Sequence, residues 1–175
     1  LEWENKTGPG WGDPDTGSFE DPRLRGRDDR AYGPLPRPWA QYKGLYHHGQ
    51  RTMVSYTVGK ADVLESPALT TVGESNVYER HFNIGPRDKD MVLQVARGQT
   101  SGASLRTFAS KDWQVAVWGK QSGVGKVVTN PTTTATTLDA HDGFLVAGVS
   151  TTIQGIEWLT PEPGDLRLKI SAGKV

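Results

Sequence analysis

From residue 41 onward apolar and polar side chains alternate with a period of two, and no segment sustains the 3.6-residue period of an amphipathic helix. Residues 42–47 read as a strand and 48–51 as a turn. Residues 52–58 form a second strand, with Met53, Ser55 and Thr57 on one face and Val54, Tyr56 and Val58 on the other. Gly59-Lys60 is a two-residue connection with glycine first, as a type II′ hairpin requires. Residues 61–65 then return, and Pro67 is expected to stop them because it lacks a donor for the ladder. Three sequential strands with tight turns make an antiparallel meander.

Further strands are expected over 76–84, 91–96, 113–118, 126–129, 143–149, 151–158 and 165–170, separated by polar turns. Strands recurring about every ten residues predict an all-β fold, an antiparallel β-sandwich-like domain over residues 41–175. Part of a β-propeller is the alternative.

Residues 1–40 follow another rule. The stretch 7–17 is dense in Gly, Pro and Asp, residues 21–30 are a mixed-charge run, and Pro34, Pro36 and Pro38 favour an extended path. Yet Trp3, Trp11, Phe19, Tyr32 and Trp39 are too many rings for a free tail. The expectation is a long irregular N-terminal arm over residues 1–40, pinned to the sheets by aromatic anchors. The chain opens on Leu1 and closes just past a strand, so it is expected to be a mature or excised piece of a longer polypeptide.

Composition fits this picture and narrows the chemistry. With 21 Gly, 11 Pro and only 35% apolar residues, a helical bundle is disfavoured. Twenty basic side chains balance twenty acidic ones, leaving no net field to gather nucleic acid. No apolar run reaches the ~20 residues of a membrane-spanning helix. The absence of Cys excludes disulfides, thiolate metal sites, a cysteine nucleophile and covalent c-type haem on this chain. Neither a serine nucleophile elbow nor a complete phosphate loop is present, since the frame at 119–126 ends in Lys126-Val127 without the hydroxyl residue.

The run Gly33-Pro34-Leu35-Pro36, then residues 42–49, Ser55 to Gly59 and Val63 to Pro67, with Gly10-Trp11 and Asp21-Pro22-Arg23 upstream, resembles a domain of unknown function. That domain occurs in large secreted multidomain proteins of planctomycetes and related bacteria, often beside c-type cytochrome modules. The resemblance is best over about residues 9–82. It implies an extracytoplasmic setting, periplasmic or secreted, and haem-bearing partner segments or chains, with no cofactor of this chain's own.

Four groups of side chains could carry chemistry. Trp39, Tyr42 and Tyr46, with Trp11, could make a flat platform for sugar rings; packing of arm and core is the plainer explanation for such rings. His47 beside His48 could ligate haem or a transition metal with a distant partner such as His81 or His141. In a strand, however, the two rings point to opposite faces. Asp13 and Asp15, with Glu20 and Asp21 behind them, have the spacing of some calcium loops, but Pro14 restricts Asp13 and Asx-turns are the plainer explanation. Asp62, Glu65 and Glu79 are the strand-borne carboxylates, and glycoside hydrolysis would need two of them ~5–9 Å apart. The expected function is therefore a non-catalytic structural or interaction module that binds other protein domains or chains, cytochromes among them. A carbohydrate-binding or carbohydrate-processing domain is the alternative.

Overall fold

A computed structural model describes residues 10–97, 104–109, 114–119, 144–150, 155–162 and 165–173. Among these residues the chain is all-β without helix, and ten strands make three antiparallel sheets. Strands β1 (Ala40–His48), β2 (Arg51–Val58), β3 (Ala61–Val72) and β4 (Ser75–Ile84) form a meander in sequence order. Strands β5 (Met91–Arg97), β9 (Ile156–Leu159) and β10 (Asp165–Ile170) form a second sheet with β10 in the middle. Strands β6 (Ser104–Ala109), β7 (Gln114–Gly119) and β8 (Phe144–Val149) form the third. The architecture is consistent with the sandwich-like fold expected from the alternation.

The meander is dictated by its turns. Gly49-Gln50, Gly59-Lys60 and Gly73-Glu74 each join paired residues across a two-residue loop, and each glycine has a positive φ of about 60°. Such hairpins twist with the strands, and a side chain at that first position would strain the backbone. Once the turns fix the register, Val58, Val63 and Ile84 fall on one face of the sheet. There they are buried with Ala61 of β3 and with Met91 and Ile170 of the second sheet. A second cluster joins Leu93, Leu166, Leu168 and Trp158 to Ala116 of the third sheet.

Two side chains belong to both clusters, Trp11 from the arm and Phe82 from β4. Their rings meet edge to face at 5.5 Å between centroids. The arm also pairs with β5 as a short extra strand: Gly12 N–H donates to the Val92 carbonyl at 2.9 Å, and Gln94 N–H donates to that of Gly10 at 2.8 Å. Trp39 is buried and its indole N–H donates to the Trp11 carbonyl at 3.1 Å. Phe19 lies on the outer side, with the Arg167 guanidinium 4.3 Å from its ring centre. Arg167 is itself held by Asp165, which is only 1% exposed and also accepts from Gln94 Nε2 at 3.1 Å.

Two strand expectations need correction. Pro67 does not end β3, which runs five residues further and pairs with β4 as far as Val72↔Ser75. The β2–β3 ladder stops instead, at Val54↔Glu65, and Ser66 Oγ donates to the Thr52 carbonyl at 3.0 Å. Beyond that point β3 has a neighbour on one side only among the described residues, the place where a proline without an N–H is tolerated. Strand β6 was not anticipated, because residues 104–109 mix Ser, Arg and Thr with their apolar positions. The strand expected over 126–129 lies outside the described residues, as do Trp113 and residues 151–154.

Replacing Trp11 by alanine removes the ring shared by both clusters. The expected loss is about 3–5 kcal/mol of stability in urea denaturation, with one cooperative transition for arm and sheets together.

Candidate functional site

The half-buried polar side chains of the meander converge where the arm crosses it. The register set by the Gly59 and Gly73 turns puts Tyr56, Glu65, Arg80 and Phe82 on the core-facing side of β2, β3 and β4. Trp11 Nε1 donates to Tyr56 Oη at 2.8 Å, and Tyr56 Oη donates to Glu65 Oε2 at 2.7 Å. Arg80 Nε donates to Glu65 Oε1 at 2.6 Å and its guanidinium lies 4.9 Å from the Phe82 ring centre. Burial, with the neighbouring Glu65 carboxylate, pushes the Tyr56 phenol well above its ordinary value. Both Glu65 oxygens are engaged, one by a phenol and one by a guanidinium. The arrangement clamps the arm to the sheet.

The residues singled out from the sequence do not converge. Trp39 is 6% exposed and belongs to the core. Tyr42 and Tyr46 are both exposed, but a one-residue bulge at Lys43 changes the alternation of β1. Tyr42 pairs with Tyr56 and shares its face, while Tyr46 pairs with Met53 on the opposite face. The four rings Trp11, Trp39, Tyr42 and Tyr46 thus share no surface. His47 and His48 stand exposed at the end of β1, and His47 Nδ1 meets Thr52 Oγ1 at 3.2 Å. His81 Nε2 bonds Glu79 at 3.0 Å, and His141 lies outside the described residues.

The acidic loop is a turn in which Asp13, Asp15 and Asp21 are each turned to a different partner. Asp13 accepts from the Asp15 N–H at 2.9 Å and from Thr16 Oγ1 at 3.0 Å, while its carbonyl accepts from Gly17 N–H. Asp15 pairs with Lys89. Asp21 receives Arg23 through Nε and Nη2, and that bond holds its carboxyl down at about 2. Among the described residues, no three His, Asp or Glu side chains lie together as a metal would need. The strand carboxylates are likewise dispersed: Glu65 faces the core, whereas Asp62 bonds Lys43 and Glu79 bonds His81 on the other face.

The clamp escaped the sequence reading for a definite reason. Alternation and the Gly59-Lys60 turn suffice to bring Tyr56 and Glu65 to the same face of adjacent strands. Arg80 joins them only once β3 is carried past Pro67 to the Gly73-Glu74 turn.

Residues 1–65 match the sequence model of a family described as a domain of unknown function, DUF6797. The matched stretch takes in the described part of the arm, β1, β2 and the beginning of β3. No curated protein and no solved structure matches the chain.

Tyr56→Phe deletes the acceptor for the Trp11 indole and the donor for Glu65, so a loss of about 1–3 kcal/mol is expected in chemical denaturation. The Asp21 carboxyl should titrate near pH 2 by NMR, and Arg23→Ala should return it to the ordinary range. Because the folded value is depressed, its contribution to stability is present above about pH 4 and disappears as pH falls toward 2. The pair is largely exposed, so that contribution stays below about 1 kcal/mol.

Proposed function

We propose that this chain is a non-catalytic module that binds another protein through the uncovered half of its four-stranded sheet. The supporting observation is an apolar face that continues past the core. Leu45, Val54, Leu69 and Tyr78 share the face on which Val63 and Ile84 are buried; Leu45 and Val54 lie level with Glu65 on β1 and β2, and Leu69 and Tyr78 lie four residues further along β3 and β4. Leu69 is 58% exposed and Tyr78 79% exposed. Aliphatic and tyrosine side chains on a rigid, twisted sheet are the composition of protein contact surfaces, where aromatic rings supply much of the binding energy. The clamp at Tyr56, Glu65 and Arg80 lies on the same face and stiffens the sheet beneath it.

The extracytoplasmic setting and the haem-bearing partners implied by the sequence resemblance belong to this proposal. They rest on that resemblance, and with no Cys in this chain any covalent c-type haem would belong to the partner.

A photo-crosslinking residue at position 78, in the protein expressed in its native cells, tests the reading. One discrete adduct is expected, lost on Leu69→Asp and absent when the crosslinker sits at Thr57 on the opposite face. Haem absorbance in that adduct would identify the partner as a cytochrome. Adducts equally abundant from positions 57 and 78, or unaffected by Leu69→Asp, would overturn the proposal.

A further inference from the structure

At the other end of β3 from Leu69, a cleft of about 350 Å³ opens between the arm, the β2–β3 turn and the connection from β4 to β5. Its floor is apolar. Its polar lining consists of Arg37, Lys60, Arg87 and Lys89 against Asp15 and Asp88. The two carboxylates are both engaged: Lys60 Nζ pairs with Asp88 Oδ2 at 2.7 Å, and Lys89 pairs with Asp15. Lys60 accordingly holds the Asp88 carboxyl below its ordinary value, and Asp15 raises the Lys89 ammonium above its own. Two guanidiniums are left over.

Arg87 is the telling one. Its stem is buried, with the residue 8% exposed overall, and its terminal nitrogens are not among the buried unpartnered atoms, so the charged end reaches the solvent. Its backbone pairs with Gly173 in both directions and its Nε donates to the Ser171 carbonyl at 2.7 Å. No carboxylate forms an ion pair with it, and its terminal nitrogens make no hydrogen bond among the described residues. Asp90 is close enough to feel its charge. The Asp90 oxygens are taken by the Ala172 N–H at 2.8 Å and by Lys169 at 3.0 Å. Arg37, on the arm, is exposed and has no carboxylate partner among the described residues.

We infer that this cleft binds an oxyanion, a phosphate, sulfate or carboxylate group, held by Arg87 from the floor side and Arg37 from the arm. Planar guanidiniums match the oxygens of such groups, and charge-assisted bonds to them are the strong class of hydrogen bond. The engaged lysines leave the cleft with a surplus of two positive charges, although the whole chain is neutral. The arm therefore contributes a recognition residue as well as a structural anchor.

Amide chemical shifts of the full chain, followed during titration with sodium phosphate, sodium sulfate and sodium acetate, test the inference against sodium chloride at matched ionic strength. Saturable shifts at Gly59, Lys60 and Arg87 are expected with the oxyanions. A response to phosphate and sulfate alone marks an ester ligand, and a response to acetate as well marks a carboxylate. Arg37→Gln, on the exposed arm, should weaken binding about tenfold without changing the melt. Lys60→Gln, which frees the Asp88 carboxylate to repel an anion, should weaken it too. Shifts that rise linearly and equally in chloride, or an affinity unchanged by Arg37→Gln, would overturn it.

Discussion

The placement of the Trp11 indole is the constraint on which the other packing depends. Its ring faces Phe82 at the seam of the two core clusters, its N–H is satisfied by Tyr56, and its carbonyl accepts from Trp39. A buried indole N–H without an acceptor would cost free energy, so the Tyr56–Glu65–Arg80 chain is part of the condition for burying the ring. The second sheet presents one face to both the meander and the third sheet, and Trp11 fills the junction. An irregular leader thereby becomes a structural member of the sandwich.

This arrangement has consequences at both ends of the meander. At one end the arm passes over the Gly59 turn, where the proline ring of residue 14 approaches to 3.0 Å of the place a Cβ would occupy. Glycine is required there twice over, by its positive φ and by the close approach. That contact brings Asp15 and Arg37 to the charged connection at 87–89. At the other end Leu69 and Tyr78 stand exposed on the core-facing side, so that face carries on into solvent, while Val77 on the opposite face is buried. The bulge at Lys43, paired with Asp62, interrupts the outer edge of β1 and disfavours pairing with another strand there. For the proposed protein contact, a face-on mode is what this edge leaves.

Much of the fold was legible because it is local. Period-two alternation and glycine-first turns determine β1, β2 and the start of β3, and the arm's rings announced that it would be anchored. What failed was the reading of Pro67, since proline stops a ladder only on the side where its N–H is needed. The grouping of sheets was illegible for a different reason: β5 pairs with β10 between residues 68 to 79 positions apart, and no local pattern encodes that choice. The candidate residues were chosen by type and spacing, and the bulge in β1 then sent Tyr42 and Tyr46 to opposite faces. Arg87 carried no signal at all in the sequence, because its interest lies in burial without a carboxylate, a property of the fold alone.

Native-state hydrogen exchange of the Gly12 and Gln94 amides, the two that stitch the arm to β5, tests the clamp most directly. Both should exchange only through global unfolding, with the same free energy and denaturant dependence as the amides of Val63 and Leu168 in the sheets. Exchange of these two through a low-energy local opening, while the sheet amides stay protected, would contradict the account.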